Sequence, residues 1–149
     1  MTFEPLTPER RRAMTRQHLL DAAAIVFARA GFHAATLDEI ATTAGFSKGA
    51  VYSNFKSKDD LFLALVEDRI ERQFAVVEEV LETSGPDAAE LLPRMADLIR
   101  TPTFIWDESM QPLYLEFVLY ASRNAEARAK LGTSIERWRV LVQGPIEQQ

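Results

Sequence analysis

Residues 36–61 read TLDEIATTAGFSKGAVYSNFKSKDDL and hold two short helical patterns with only three residues between them. Thr36 and Glu39 have the spacing of a capping box, in which a hydroxyl and a carboxylate satisfy the first free amides of a helix. Gly45 suits the end of that helix, and Ser47 can cap the next one. The stretch therefore predicts a helix, a tight turn and a second helix. Apolar residues recur at helical spacing in both patterns: Leu37, Ile40, Ala41 and Ala44, then Val51 and Phe55.

Two helices joined by a tight turn and braced by a third helix form the helix-turn-helix motif of DNA-binding proteins. The second helix of that motif places its N-terminal part in the major groove. Because Val51 and Phe55 are needed in the core, we expect Lys48, Tyr52 and Asn54 to face outward. These side chains can hydrogen-bond to bases or phosphates. For Tyr52, a position in the core with a satisfied hydroxyl is the alternative.

Further positions complete this candidate DNA-binding surface. Gly49, which also faces outward, allows the backbone to come close to DNA, and Ala50 can touch a thymine methyl group. Lys58, with the free amides at the start of the next helix, forms a natural seat for a phosphate. The start of the helix that begins after Thr36 forms a second seat for a phosphate.

The rest of the chain also predicts helices and no persuasive strand. The first helix is expected over residues 8–30, with Gly31 in the left-handed position that ends it. A long helix is expected over residues 58–83, which links the two halves of the chain. Three helices are expected beyond it: 88–100, interrupted or restarted at Pro93, then 112–124 and 125–143. The predicted fold class is all-α.

Charge divides the chain into two parts. Residues 1–58 carry eight Lys and Arg against five acids, a balance of +3, whereas the remainder holds nine basic and seventeen acidic residues, a balance of −8. A small basic part on an acidic body fits a protein that approaches a polyanion with its first part alone. An ordinary solvated surface is the alternative.

Composition excludes several other classes of protein. The chain has 149 residues, no cysteine and two histidines, which excludes disulfide scaffolds and leaves too few ligands for most metal sites. No apolar run reaches the roughly 18 residues of a membrane helix, and the first residues lack the apolar core of a signal peptide. We therefore expect a soluble cytoplasmic protein with no cofactor, no metal and no membrane partner.

The sequence resembles the TetR family of transcriptional regulators. The resemblance runs from about Arg16 to Leu65 and rests on two stretches. The first is residues 19–32, LLDAAAIVFARAGF, and the second is residues 36–61, quoted above. The family implies an N-terminal three-helix DNA-binding domain, here 10–72 with its helix-turn-helix at 36–55. A long helix joins it to a helical ligand-binding and dimerisation domain, here 73–149 and apparently shortened.

The resemblance also implies a function. Members bind a palindromic double-stranded DNA operator as a homodimer, with the recognition helix here at 47–54. A small molecule in the second domain spreads the two DNA-binding heads through the long helix and releases the DNA. The basic run 10–12 resembles the extensions that some members lay into the minor groove, with a solvated helix start as the alternative. The family's DNA contacts map onto Thr36, Ser47, Lys48, Gly49, Ala50, Tyr52, Asn54 and Lys58.

Two further groups of residues are expected in the second domain. Aromatic and large apolar side chains suggest a pocket for an apolar or aromatic effector, with plain core packing as the alternative for each residue. Another apolar stripe suggests a dimer interface. The pocket candidates are Phe104, Trp106, Met110, Leu113, Phe117 and Tyr120. The interface candidates are Leu131, Ile135, Trp138 and Val142.

The function that these features indicate is a DNA-binding transcriptional regulator, with a ligand-responsive repressor as its expected form. The alternative is a degenerate member that keeps the fold as a protein-interaction or ligand-binding module without useful DNA affinity. An enzyme is not expected, because no Ser/His/Asp set, glycine-rich phosphate loop or pair of carboxylates in a defined site emerges.

Overall fold

A computed structural model describes residues 3–84, 88–100 and 111–143. The secondary structure of these residues consists of helices without strands, as predicted. The chain divides into two compact units, an N-terminal unit (Met1–Leu65) and a C-terminal unit (Val66–Gln149). The two functional domains proposed from the sequence, 10–72 and 73–149, remain a prediction. The helices are α1 (Pro8–Ala34), α2 (Leu37–Ala44), α3 (Lys48–Asn54), α4 (Lys58–Ser84), α5 (Ala88–Arg100), α6 (Gln111–Arg123) and α7 (Ala125–Gln143).

Local capping sets the ends of α1. The Thr7 hydroxyl accepts a hydrogen bond from the Arg10 amide at 3.2 Å, and Pro8 occupies the first helical position. The helical run extends four residues beyond the predicted end. At Gly31, however, the backbone leaves helical values, with φ 78° and ψ 165°. Gly31 therefore breaks the regular helix as expected, although one more turn follows before Ala35.

The predicted capping box of α2 is confirmed. The Glu39 amide donates to the Thr36 hydroxyl at 3.2 Å, and the Thr36 amide donates to the Glu39 carboxylate at 3.3 Å. Gly45 ends α2 in the left-handed conformation, with φ 75° and ψ 24°, which glycine adopts without steric strain. The Ser47 hydroxyl caps α3 by accepting from the Ala50 amide at 3.2 Å.

Apolar side chains from α1, α2, α3 and the start of α4 form the core of the N-terminal unit. The Phe27 and Phe62 rings meet edge to face with centroids 5.5 Å apart, an arrangement that aromatic quadrupoles favour. Burial of this core stabilises α2 and α3, which with eight and seven residues are too short to be stable alone. Fully buried members include Leu19, Ala23, Val26, Phe27, Ile40, Val51, Leu61, Phe62 and Leu65.

The C-terminal unit departs from the prediction at α5. This helix is continuous from Ala88 to Arg100 with Pro93 inside it, so the predicted interruption is wrong. Proline has no amide N–H and removes one intrahelical hydrogen bond. Pro93 is exposed, and the helix tolerates the loss there. The helix predicted over 112–124 is found one residue earlier, at Gln111–Arg123, and α7 lies where it was predicted.

Ion pairs and a small apolar core connect α7 to α4 within the C-terminal unit. Arg137 Nη1 and Nη2 lie 2.7 and 2.9 Å from carboxylate oxygens of Glu71 and Glu78. Its guanidinium carbon is 4.0 Å from the centroid of the Phe74 ring. The hydrogen bonds to Glu78 and Glu71 raise the pKa of Arg137. None of the helices that the structure describes is long and apolar enough to cross a bilayer.

The Thr36 cap generates a stability prediction. We expect Thr36→Ala to lower the free energy of unfolding by about 1 kcal/mol, because an N-terminal amide of α2 loses its partner. Urea unfolding followed by circular dichroism measures it. Thr43→Ala, an exposed change of the same type inside α2, is the control and should cost nothing, since alanine favours helix. Equal losses in both variants would contradict the capping role.

Candidate nucleic-acid interface

The short helix α3 has one buried and one exposed side. Val51 and Phe55, the residue that follows its last turn, are 0% and 1% exposed. Tyr52 is 58% exposed and the Lys48 side chain 67% exposed, and Gly49 is also exposed. The core alternative for Tyr52 is therefore wrong. Between residues 48 and 52, α3 therefore presents a cation, the backbone of one glycine and a tyrosine side chain to solvent.

Lys48 is tied to α2 by an ion pair. Its Nζ lies 2.7 Å from Oδ2 of Asp38, and both side chains are more than half exposed. The hydrogen bond to Asp38, and then the Coulomb attraction between the two charges, raise the pKa of Lys48. Lys48 is therefore fully cationic at neutral pH, with an ammonium that already has one partner.

Contacts within the chain explain the amide of Asn54 but do not explain why residue 49 is a glycine. Asn54 is half-buried rather than fully outward as predicted, and its Nδ2 donates to the Ala50 carbonyl at 2.8 Å. The amide thus bonds back to its own helix. At Gly49, an added Cβ would meet only the Ser47 hydroxyl, at 3.7 Å, which is an ordinary contact. Packing within the chain therefore does not require glycine at this position.

Lys58 has a structural role that the sequence did not indicate. Its Nζ donates to the carbonyls of His33 and Ala35, each at 3.1 Å, and lies 4.7 Å from the centroid of the Phe32 ring. Two of its three N–H donors thus satisfy backbone carbonyls that follow the kink of α1. One donor is left for the phosphate that was predicted at this residue.

Arg16 belongs to this surface and was missed as a candidate. Its Nη1 donates to the Asn54 carbonyl at 3.4 Å, and its guanidinium carbon lies 4.5 Å from the centroid of the Phe55 ring. Arg16 is nevertheless exposed, so a basic group stands beside the end of α3. It comes from α1, and no spacing inside the helix-turn-helix segment points to it.

The basic run 10–12 forms part of the first turns of α1, which favours the solvated helix start over an extended arm. Arg10 Nη1 lies 3.1 Å from the Glu4 carboxylate and also contacts the carbonyls of Glu4 and Pro5 at 3.3 and 3.2 Å. This arginine therefore fastens the segment that precedes the helix.

Comparison with known proteins identifies the motif. Residues 19–65 match the family model described as bacterial regulatory proteins of the tetR family. Over these residues the chain belongs to the TetR family. This family consists of transcriptional regulators and not of enzymes. The match covers α2, α3, most of α1 and the first turns of α4, which are the elements that form the surface described above.

Two curated transcriptional regulators match about half of this chain. The transcriptional activator FasR of Mycolicibacterium smegmatis is 42% identical over 76 residues, which are 51% of this chain and 35% of that protein. The transcriptional repressor AcnR of Corynebacterium diphtheriae is 36% identical over 75 residues, 50% of this chain and 40% of that protein. The chain thus matches well under half the length of either relative.

Solved TetR structures show the same fold over more of the chain. The crystal structure of a protein described as a TetR-family regulator from Mesorhizobium loti superimposes with a TM-score of 0.79 at 24% identity. The match covers 92% of this chain and 68% of that one. Both have an N-terminal helix-turn-helix unit and a helical C-terminal unit.

Of the expected effector-pocket residues, Leu113 and Phe117 are 1% and 3% exposed. Tyr120 is half-buried, and its hydroxyl accepts from Asn124 Nδ2 at 3.2 Å. The other three candidates, Phe104, Trp106 and Met110, lie outside the described residues. A cavity of about 350 Å³ opens within the C-terminal unit, and of the three described candidates Phe117 borders it. Its lining comprises Val66, Glu67, Ile70, Glu71, Phe117, Glu126, Ala129, Lys130, Thr133 and Ser134.

The expected dimer stripe on α7 is unevenly exposed. Ile135 is 60% exposed and Leu131 is half-buried, whereas the Trp138 ring packs against Phe74 with centroids 4.8 Å apart. Trp138 thus belongs to the core of its own chain. The side chain of Val142 lies outside the described residues. Within the described part of the chain, no group of three acidic or histidine side chains could hold a metal ion.

The contacts of Lys58 generate a second prediction. We expect Lys58→Met to lower the free energy of unfolding by about 1–2 kcal/mol, because two backbone carbonyls lose a charged donor. Lys56→Met, the same change at an exposed residue two positions earlier, should leave stability within about 0.5 kcal/mol of the parent. Chemical denaturation measures both, and an unchanged midpoint for Lys58→Met would rule out the structural role.

Proposed function

We propose that this chain is a DNA-binding transcriptional regulator that reads duplex DNA with the exposed side of α3. The observation that carries the proposal is that Lys48, Gly49 and Tyr52 of this helix are exposed, whereas Val51 and the following Phe55 are buried. An α-helix of this kind fits the major groove, where each base pair presents a distinct set of donors and acceptors. The surplus of cations in residues 1–58 supports the approach to a polyanion.

The individual contacts divide into base readout and backbone positioning. Lys48 and Ala50, at the start of α3, are proposed for base edges, with Gly49 allowing close approach. Tyr52 and Arg16 are proposed for phosphates. Thr36 and Ser47 cap α2 and α3. Their hydroxyls, and the free backbone amides at the starts of these two helices, are proposed for phosphates as well. Asn54 and Lys58 are proposed for weaker DNA contacts, because each side chain already donates hydrogen bonds within the chain.

A homodimer on a palindromic operator is the proposed assembly. One helix-turn-helix reads only a few base pairs, and two heads about 34 Å apart reach successive major grooves on one face of the duplex. Apolar side chains exposed on the C-terminal unit support a partner there: Leu115, Val118 and Leu119 on α6, with Ile135 and Val140 on α7. Repression is the proposed outcome, because a dimer on its operator blocks access to that DNA.

An apolar or aromatic effector is proposed for the C-terminal unit. The cavity there is large enough for a small molecule and has an apolar wall that includes Ile70 and Phe117. Its rim carries charged and hydroxyl groups, including Lys130 and Thr133, that can orient a polar end. The proposal therefore places the effector against α4, α6 and α7.

Loss of the Lys48 side chain tests the DNA-binding surface. We expect Lys48→Ala to weaken binding about tenfold to a duplex selected from genomic fragments, because a base edge loses its donor. Tyr52→Phe, which removes only a hydroxyl, should weaken binding less. Fluorescence anisotropy at stated salt measures affinity, and circular dichroism should show unchanged helicity.

The control for this experiment is Arg100→Ala, which removes a cation whose side chain is 79% exposed on the C-terminal unit. Its affinity should stay within twofold of the parent. Equal affinity of the parent and Lys48→Ala would overturn the recognition-helix assignment. If the parent selects no DNA at all, the chain is instead a module without DNA affinity.

Filling the cavity tests the effector proposal. A panel of aliphatic, aromatic and strongly ionic compounds is screened for those that raise the unfolding temperature of the parent. Ala129→Phe should abolish the rise in unfolding temperature, because Ala129 borders the cavity and a phenylalanine ring there would fill it. Ala129 is exposed, so the change does not alter a buried position. Ala125→Phe, an exposed position one turn earlier on α7 outside the lining, should keep the rise. A rise confined to strongly ionic compounds, or one that survives Ala129→Phe, would contradict the proposal.

A further inference from the structure

Asp38 places a negative charge on the surface proposed to approach DNA. It is the second residue of α2, and its carboxylate contacts the ammonium of Lys48, the first residue of α3, at 2.7 Å. The Asp38 side chain is 54% exposed. Neither member of the pair is needed to fill the core, and α2 and α3 have their own caps in Thr36 and Ser47. Packing and capping therefore do not explain the pair.

The pair changes what Lys48 can do. Near a duplex, each phosphate attracts a free ammonium wherever it lies along the backbone, irrespective of the base sequence. A phosphate that Lys48 approaches also meets the carboxylate held at 2.7 Å from the ammonium, and repulsion by that carboxylate offsets much of the attraction. To donate to a base edge next to α3, Lys48 can keep Asp38 as a partner, because an ammonium has three donors. Asp38 thus weakens the attraction of Lys48 to phosphates, which is independent of sequence, more than it weakens a hydrogen bond from Lys48 to a base edge.

Lys58 and Arg16, the two other cations of this surface described above, do not offset that loss of attraction to phosphates. Two donors of Lys58 are occupied by the carbonyls of His33 and Ala35. Arg16 stacks on Phe55 at the far end of α3, away from its first turn. The ion pair therefore leaves the first turn of α3 with little net charge for general attraction to DNA.

We propose that Asp38 is a positioning residue that determines specificity: by holding Lys48, it lowers affinity for unrelated DNA more than for the cognate site. This inference rests on the proposed DNA-binding function. It concerns the ratio of two affinities, which a purely structural role of Asp38 would not alter.

The test uses Asp38→Asn in the full chain. Two probes are compared: a duplex selected by the parent protein from a random-sequence library, and a shuffled duplex of the same composition. We expect affinity for the shuffled duplex to rise about threefold to sixfold, with a slope of log affinity against log salt steeper by about 0.9, the effect of one added phosphate contact. Affinity for the selected duplex should change less than twofold.

Two controls isolate the ion pair. Asp59→Asn removes the same charge at an exposed position in the first turn of α4 and should leave the specificity ratio unchanged. In a Lys48→Ala background, Asp38→Asn should no longer raise affinity for the shuffled duplex. If Asp38→Asn folds poorly, Asp38→Ser provides the same loss of charge with a residue that also suits a helix start.

The outcomes separate this inference from the proposed function. Failure of the parent to select any duplex would overturn the proposed function, and this inference with it. A parent that binds its selected duplex, with an unchanged ratio in Asp38→Asn, would overturn the role of Asp38 alone. An equal effect of Asp59→Asn, or an effect that persists without Lys48, would also overturn it, because repulsion by any nearby acid would then suffice.

Discussion

Burial of Val51 and Phe55 determines which side of α3 faces outward. The helix has seven residues, too few to be helical alone in water, so its conformation depends on packing against α1 and α2. With these two side chains inside, Lys48, Gly49 and Tyr52 remain exposed at the surface. The same contact that stabilises the N-terminal unit thus also orients the groups proposed to read DNA.

The polar groups around this surface are held in place before any partner arrives. The hydroxyls of Thr36 and Ser47 accept backbone amides, the amide of Asn54 donates to Ala50, and Lys48 pairs with Asp38. Such preorganisation reduces the entropy lost on binding. It also means that some contacts must be exchanged rather than simply added, which lowers the gain from each of them.

The sequence predicted the features that depend on neighbours along the chain. The capping box at Thr36 and Glu39, the left-handed Gly45 and the Ser47 cap follow from spacing within a few residues, and each was confirmed. Pro93 was misjudged because its effect depends on whether the missing hydrogen bond matters at that site, and an exposed helix tolerates it.

Spacing along the sequence did not predict the contacts between residues that are far apart in the chain. Lys58 meets the carbonyl of His33 across 25 positions, and Arg16 meets that of Asn54 across 38. Trp138 fits an outward stripe by its period along α7, yet its ring packs on Phe74. Helical period alone cannot distinguish an apolar face that meets the same chain from one that awaits a partner.

The intramolecular contacts also limit what net charge says about binding. Eight basic residues lie in positions 1–58, but a cation that is already paired with a carboxylate or committed to a carbonyl contributes less to counterion release than a free one. Arg10 pairs with Glu4, Lys48 with Asp38, and Lys58 holds two carbonyls. The salt dependence of DNA binding should therefore reflect fewer phosphate contacts than a count of lysines and arginines implies. In a surface built this way, hydrogen-bond geometry, more than total charge, must supply the preference for one base sequence over another.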